Sequence, residues 1–269
     1  MNTIVLHIIS LAFYIIASCC FIAELYLRKE RLQRIGTGVA VAGAGIHTLA
    51  IGWWCATVHQ TPFAANSGTL SVAAWILAIS FLPVRRLTKI ELLGAFAMPM
   101  CSLLTLFSLL RMSTSVSTLP YLRTSLTSLH VILILGSFAL LLFAGCCALF
   151  YIWQYGQLKS PSQEGRRWQL PPLETVDHAA FGLVAVAHPI LTVGLILGFV
   201  SSSSGIVVAR PISDPHVILS LAAWALCSAY LVLRLAVGWR GSRINWILIG
   251  ATVLSILLYF LPSTTHRFS

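Results

Sequence analysis

The chain has 269 residues, of which 58% are hydrophobic and 9% charged, and its mean hydropathy is +0.90. A soluble domain carries roughly 25% charged residues, so these values exclude a soluble globular protein and predict an all-α integral membrane protein. The formal charge of +10 does not predict a nucleic-acid partner, because the cations gather in particular loops between apolar runs, where they set topology and meet anionic headgroups.

Eight apolar stretches approach the ~20 residues that a membrane-crossing helix needs. They are read at about 3–26, 35–58, 67–83, 90–110, 125–155, 177–200, 214–237 and 244–261. Together they predict a bundle of eight transmembrane helices forming one domain over residues 1–269. The first stretch lacks a basic leader, and its charges ("RKERLQR") follow the apolar run, so it reads as a mature helix and not a signal peptide. The second carries His47 in "GAGIHTLAIGWWC", with Trp53 and Trp54 beyond it and His59 at its end. The third is short for a crossing, and the fifth, opened by His130, exceeds the hydrocarbon thickness. The connection 156–176 mixes proline, charge and Trp168, as a short interfacial helix would. The sixth holds "VAVAHPILTVG", with His188 directly before Pro189. His216 opens the seventh, and His266 follows the eighth.

Most cations lie in the loops around Arg28–Arg34, Arg85–Lys89, Lys159–Arg167 and Arg234–Arg243; Arg111, Arg123, Arg210 and Arg267 lie on the other side. The positive-inside rule then places both termini outside, an N-out/C-out topology. All seven acidic residues fall at or near a predicted boundary. A coupled transporter generally buries a carboxylate or ion site near the midplane, and that pattern is missing. So are a catalytic carboxylate pair, a nucleophile–base arrangement and a phosphate-cradling glycine loop, and no enzymatic role is assigned. The seven cysteines all fall inside apolar spans and read as small apolar fillers.

The histidines remain as the chemical inventory. His47 and His188 lie about 12 and about 11 residues above the same ends of their spans, or ~18 and ~17 Å at the α-helical rise. Two imidazoles at one depth predict a shared metal-centred cofactor, since imidazole is an axial ligand of haem iron. Gly43, Gly45, Gly194 and Gly198 add room near them, and Trp53 or Trp54 is a weaker candidate for stacking on a porphyrin. The competing reading is that each imidazole hydrogen-bonds a neighbouring helix. Thr192 is placed to bond the His188 carbonyl beside the Pro189 kink. A further set, His7, His59, His130, His216 and His266, gathers toward the predicted outer face and suits an outward-facing haem or metal platform.

Three segments, "LHVILILGSFALLLFAGCCALFYIWQYGQLK", "LPPLETVDHAAFGLVAVAHPILTVGLILG" and "DPHVILSLAAWALCSAYLVLRLAVGWRGSRINWILIGA", resemble consecutive blocks of the cytochrome c assembly membrane family. That family includes the CcsA-type haem-handling subunit and smaller HemX/YpjD-type relatives. The most specific pieces are "LPPLE", "PILTVGLILG" and "GWRG" followed by "IG". The resemblance implies non-covalent b-type haem and a multi-pass place in the bacterial cytoplasmic (inner) membrane. Lipids, and other cytochrome assembly or haem-metabolism proteins, would be its partners. It also implies that His130 and His266 are external haem ligands, and it matches His47 to a histidine of an early helix. Departures accompany it. The WWD motif is missing before the seventh span, Val232 stands where CcsA-type proteins carry an intramembrane histidine, and His188 stands where the family more often has an apolar residue. The expected function is haem handling or cytochrome c-type assembly without haem ligation to apocytochrome. The alternatives are a transporter component for haem or another small molecule, and a non-catalytic subunit of a respiratory or assembly complex.

Overall fold

The computed structural model describes residues 3–58, 62–64, 66–112, 125–159, 171–201 and 215–260. Among them are eight α-helices: α1 (Thr3–Leu27), α2 (Glu30–Val58), α3 (Asn66–Thr88), α4 (Leu93–Met112), α5 (Ser125–Lys159), α6 (Leu173–Ser201), α7 (Pro215–Leu235) and α8 (Ser242–Phe260). A 3-10 turn, Pro62–Ala64, lies between α2 and α3. Seven helices, α1 to α7, are long and apolar enough to cross a membrane, and α8 contributes a shorter apolar stretch, Ser242–Leu258. The chain is a multi-pass helical membrane protein.

Helix ends follow local chemistry more than hydropathy. Arg28 and Lys89 adopt positive φ, 53° and 57°, just past α1 and α3, and the Arg28 N–H donates to the Glu24 carbonyl at 2.8 Å. In "GWRG" both glycines need their conformational freedom: Gly238 and Gly241 sit at φ 74° and 91°, where a Cβ would be strained. The third predicted span stops at Pro83, yet α3 runs through that proline to Thr88. Proline removes the bond to the Ile79 carbonyl and crowds it, yet the helix continues. Beyond it, the Arg85 guanidinium donates to Thr37 Oγ1 at 2.6 Å and ties this turn to α2.

The chain divides into two compact units, Met1–Leu87 with Glu91–Ser128, and Thr88–Ile90 with Leu129–Ser269. In the first, α1 packs on α2 and α4. Phe21 is buried, edge-on to Phe81 with ring centroids 5.5 Å apart, and a Cβ on Gly94 would come within 2.8 Å of its ring. A flat ring has no way to yield there. Gly94→Val is therefore expected to lower the unfolding free energy by about 1–3 kcal/mol, the usual cost of overpacking, read as a lower denaturation midpoint in detergent. Unchanged stability would show that α4 shifts freely.

In the second unit α7 packs on α6 and α8. Thr252 fills the space that a Cβ on Gly145 would occupy, and its hydroxyl reaches the Leu141 carbonyl of α5 at 3.1 Å and the Leu248 carbonyl at 2.9 Å. Arg234, one of the cations expected to set topology, and Asp177, one of the carboxylates expected at a boundary, are both buried, and the guanidinium grips the carboxylate with two bonds of 3.0 and 2.6 Å. A pair so engaged leaves Arg234 little charge to present to a headgroup.

Cys101, Cys146, Cys147 and Cys227 are buried, and all seven cysteines are free thiols.

Candidate functional site

His47 lies in the middle of α2 and is fully buried. Its Nδ1 meets the Tyr14 hydroxyl of α1 at 3.1 Å, and its Nε2 meets Ser71 Oγ of α3 at 2.9 Å. Ser71 Oγ also lies 2.9 Å from Nε2 of His7, whose Nδ1 is 2.9 Å from the Thr3 carbonyl. The two imidazoles stand edge to face, with centroids 5.3 Å apart.

Elementary bookkeeping fixes the direction of this chain. A carbonyl only accepts, so His7 Nδ1 carries the proton and donates to Thr3. For a neutral ring, His7 Nε2 is then an acceptor, and the Ser71 hydroxyl donates to it. Ser71 Oγ in turn accepts from His47 Nε2–H, which leaves His47 Nδ1 to accept from the Tyr14 hydroxyl. Every ring nitrogen is satisfied and every donor faces the N-terminal end of α1. Buried polar groups of this kind are costly unless paired, and here all are.

Sequence reasoning singled out His47 but missed its partners. A signal was present: His7, Ser10, Tyr14 and Ser18 recur at helical spacing and lie on the buried face of α1. His7, one of the set expected toward the outer face, is buried against Ser71. Beside His7 and Ser71 is a small cavity, also lined by Trp54, Pro62, Gly68 and Met112, with room for about one water. A Cβ on Gly68 would strike the Pro62 carbonyl, so glycine is what lets the 3-10 turn close over this space. Trp54 lines the cavity, and Trp53 is exposed.

The second unit holds two other imidazoles. His130, near the start of α5, donates from Nδ1 to the Gly194 carbonyl of α6 at 2.6 Å. Gly198, one turn on, makes the groove: a Cβ there would come within 2.5 Å of the ring. With Nδ1 as the donor, Nε2 holds a bare lone pair. His188 stacks on Trp224 of α7, centroids 5.5 Å apart. Its Nε2 lies 3.4 Å from Ser228 Oγ, and its buried Nδ1 has no partner among the described residues. The expected bond from Thr192 to the His188 carbonyl is present at 2.8 Å, and the Trp224 indole N–H donates to that same Thr192 hydroxyl at 2.9 Å.

Of the two uses expected for these glycines, close packing or room for a flat ligand, three show close packing. Gly43 abuts Phe13 and Tyr14, Gly194 abuts Ile134, Gly198 abuts His130, and Gly45 faces open space. His216 lies in α7, while His59 and His266 lie outside the described residues.

As ligands for haem iron the three central histidines differ. His130 fits: a backbone carbonyl fixes its tautomer and leaves Nε2 without a hydrogen-bond partner among the described residues, and a fixed tautomer is how proteins orient an imidazole for a metal. His188 offers an unpartnered nitrogen. His47 offers none until Tyr14 or Ser71 lets go.

These features define a multi-pass helical membrane protein that keeps oriented imidazoles inside its helical units. The family model described as "Cytochrome C assembly protein" matches residues 63–266, and the chain belongs to that family. Ser71, His130 and His188 fall inside the matched stretch; His7, Tyr14 and His47 precede it. The chain is 22% identical over 238 residues to the cytochrome c biogenesis protein CcsA of Guillardia theta, covering 81% of this chain and 79% of that one. It is 21% identical over 277 residues to the CcsA protein of Gloeobacter violaceus, covering 83% and 81%. It is also 28% identical over 131 residues to the inner membrane protein YpjD of Escherichia coli (strain K12), covering 49% and 48%. No solved structure gives a significant match.

Proposed function

We propose that this protein binds haem within the membrane through histidine nitrogens and serves haem handling in cytochrome c assembly. The observation that carries the reading is His130, whose Nδ1–H is spent on the Gly194 carbonyl at 2.6 Å, while no second bond to the ring is made among the described residues. Family membership and the names of the CcsA relatives supply the assembly context. Haem, when bound, would supply an iron that takes nitrogen ligands. The residues of this chain would orient the imidazole, exclude water and hold b-type haem without a covalent link. His188 and His47 are further candidate ligands, as is His266; His59, His216, Trp53 and Trp54 are lesser ones. No ligation of haem to apocytochrome is assigned, since the WWD motif is missing.

The protein is proposed to sit in a bacterial inner membrane with both termini outside. That topology requires α8 as an eighth crossing. Reporter fusions to the two termini should then report the same side, and opposite sides would remove α8 from the membrane.

The deciding experiment is the absorption and pyridine-haemochrome spectrum of the purified full-length protein. The wild type should carry haem, and His130→Ala should lose most of it. Gly198→Leu should weaken haem retention about tenfold or more, as losses of a ligand's orienting partner do, while exposed His178→Ala leaves it unchanged. Colourless wild-type protein from haem-replete cells, or a His130→Ala spectrum equal to wild type, would refute the reading.

A further inference from the structure

We propose that the turn between α7 and α8 binds the phosphate of an anionic phospholipid, held by Arg240 and Arg243 and flanked by the indoles of Trp239 and Trp246. The turn is built to keep one shape. Gly238 and Gly241 hold it at φ 74° and 91°. The Trp239 N–H donates to the Leu233 carbonyl at 3.0 Å and closes the end of α7. At the other end the Gly241 carbonyl accepts from the Asn245 side-chain amide at 3.0 Å, and Asn245 is fully buried.

This fixed turn presents apolar and cationic groups side by side. Leu235, Val237, Trp239 and Trp246 are exposed, and Arg240 and Arg243 lie exposed among them. Arg243 and Trp246, three residues apart in α8, share one helical face. Neither arginine has a hydrogen-bond or ion-pair partner among the described residues. Nor does the chain offer one nearby in sequence, since residues 215–269 contain no aspartate or glutamate. At the start of α6, Asp177 is spent on Arg234 and Glu174 lies 3.6 Å from His178. The missing counter-charge therefore comes from outside the chain. Water would suit the guanidinium groups and hydrocarbon the indoles, whereas the headgroup layer suits both: apolar bodies lean on acyl chains and polar tips reach the headgroups. A guanidinium fork matches phosphate oxygens two at a time. The cationic turn between α1 and α2 differs, since Glu30 engages Arg34 at 3.3 Å and no tryptophan flanks it.

The test is native mass spectrometry of the full-length protein released from detergent micelles, titrated with phosphatidylglycerol or with phosphatidylcholine of the same acyl chains. The wild type should bind its first phosphatidylglycerol more tightly than its first phosphatidylcholine. Arg240→Gln and Arg243→Gln should each weaken that binding about fivefold, and the double variant about thirtyfold, the scale of one and two cations at an anionic surface. Trp246→Ala should weaken it with both arginines still present. Lys29→Gln/Arg31→Gln removes the same charge from the other turn and should leave the constant unchanged. Three results would overturn the proposal. They are wild-type affinity in Arg240→Gln/Arg243→Gln, an equal loss in Lys29→Gln/Arg31→Gln, and displacement of the lipid by inorganic phosphate, which would assign the turn to a free anion.

Discussion

Asp177→Asn and Arg234→Met are each expected to lower the unfolding free energy by about 3–5 kcal/mol, the cost of stranding one member of a buried ion pair. The geometry is that of a strong pair. Two bonds of 3.0 and 2.6 Å join the planar guanidinium to both carboxylate oxygens, and the side chains are only 6% and 10% exposed. The guanidinium also lies over the Phe181 ring, 4.8 Å from its centroid. Asp177 stands in the second turn of α6 and Arg234 in the last turn of α7. The pair therefore clamps the start of one helix to the end of the next. Removing either partner leaves a charge, or an unmatched polar group, in a buried position.

The double variant Asp177→Leu/Arg234→Leu should recover most of the loss, because replacing a whole buried pair with apolar side chains is often close to neutral. Denaturation midpoints of the two single variants and the double variant complete a thermodynamic cycle. A double variant whose loss equals the sum of the singles would show that the two residues act independently.

This clamp was hidden in the sequence for a physical reason. Its members are 57 residues apart, and each sits near the end of an apolar run, where a charge is ordinary. Only the packing of α6 against α7 brings them together. Helix identity, by contrast, was written plainly, because apolar runs of sufficient length have few alternatives in a bilayer. The boundaries were less legible. A hydropathy window ends at the first charge or proline, whereas α3 continues through Pro83 and its two arginines to Thr88. The "GWRG" turn was legible as a motif, and its physical content is the pair of positive φ angles at its glycines.

The candidate site divides the same way. A histidine at mid-span predicts either a ligand or a hydrogen-bonded imidazole. Sequence could not tell which of His47, His130 and His188 was which. The difference lies in which nitrogen already has a partner, and Ser71, Gly194 and Ser228 come from other helices. Depth alone made His47 and His188 look alike, yet one is saturated with hydrogen bonds and the other leaves a nitrogen unpartnered. The space beside Gly198, credited to His188 because it is near in sequence, receives His130 from α5.

The same contrast gives the second large effect. His47→Ala is expected to cost about 3 kcal/mol or more, since it opens a cavity in a fully packed region and strips bonds from two buried hydroxyls, those of Tyr14 and Ser71. His188→Ala should cost about 1 kcal/mol, the scale of one aromatic contact. Its ring is half-buried, Ser228 keeps its bond to the Trp224 carbonyl, and Thr192 keeps both of its partners. Denaturant titrations of both variants in the same detergent measure the gap, and equal losses would show that the Tyr14–His47–Ser71 chain adds little to stability. The gap also decides how haem spectra of these variants are read. Loss of colour in His47→Ala alone confounds ligation with unfolding. Tyr14→Phe separates them, because it removes the donor to Nδ1 yet retains the imidazole and its bond to Ser71. If His47 ligates iron, Tyr14→Phe keeps the wild-type absorbance while His47→Ala loses it. If His47 serves only packing, absorbance in both variants follows the fraction of protein still folded.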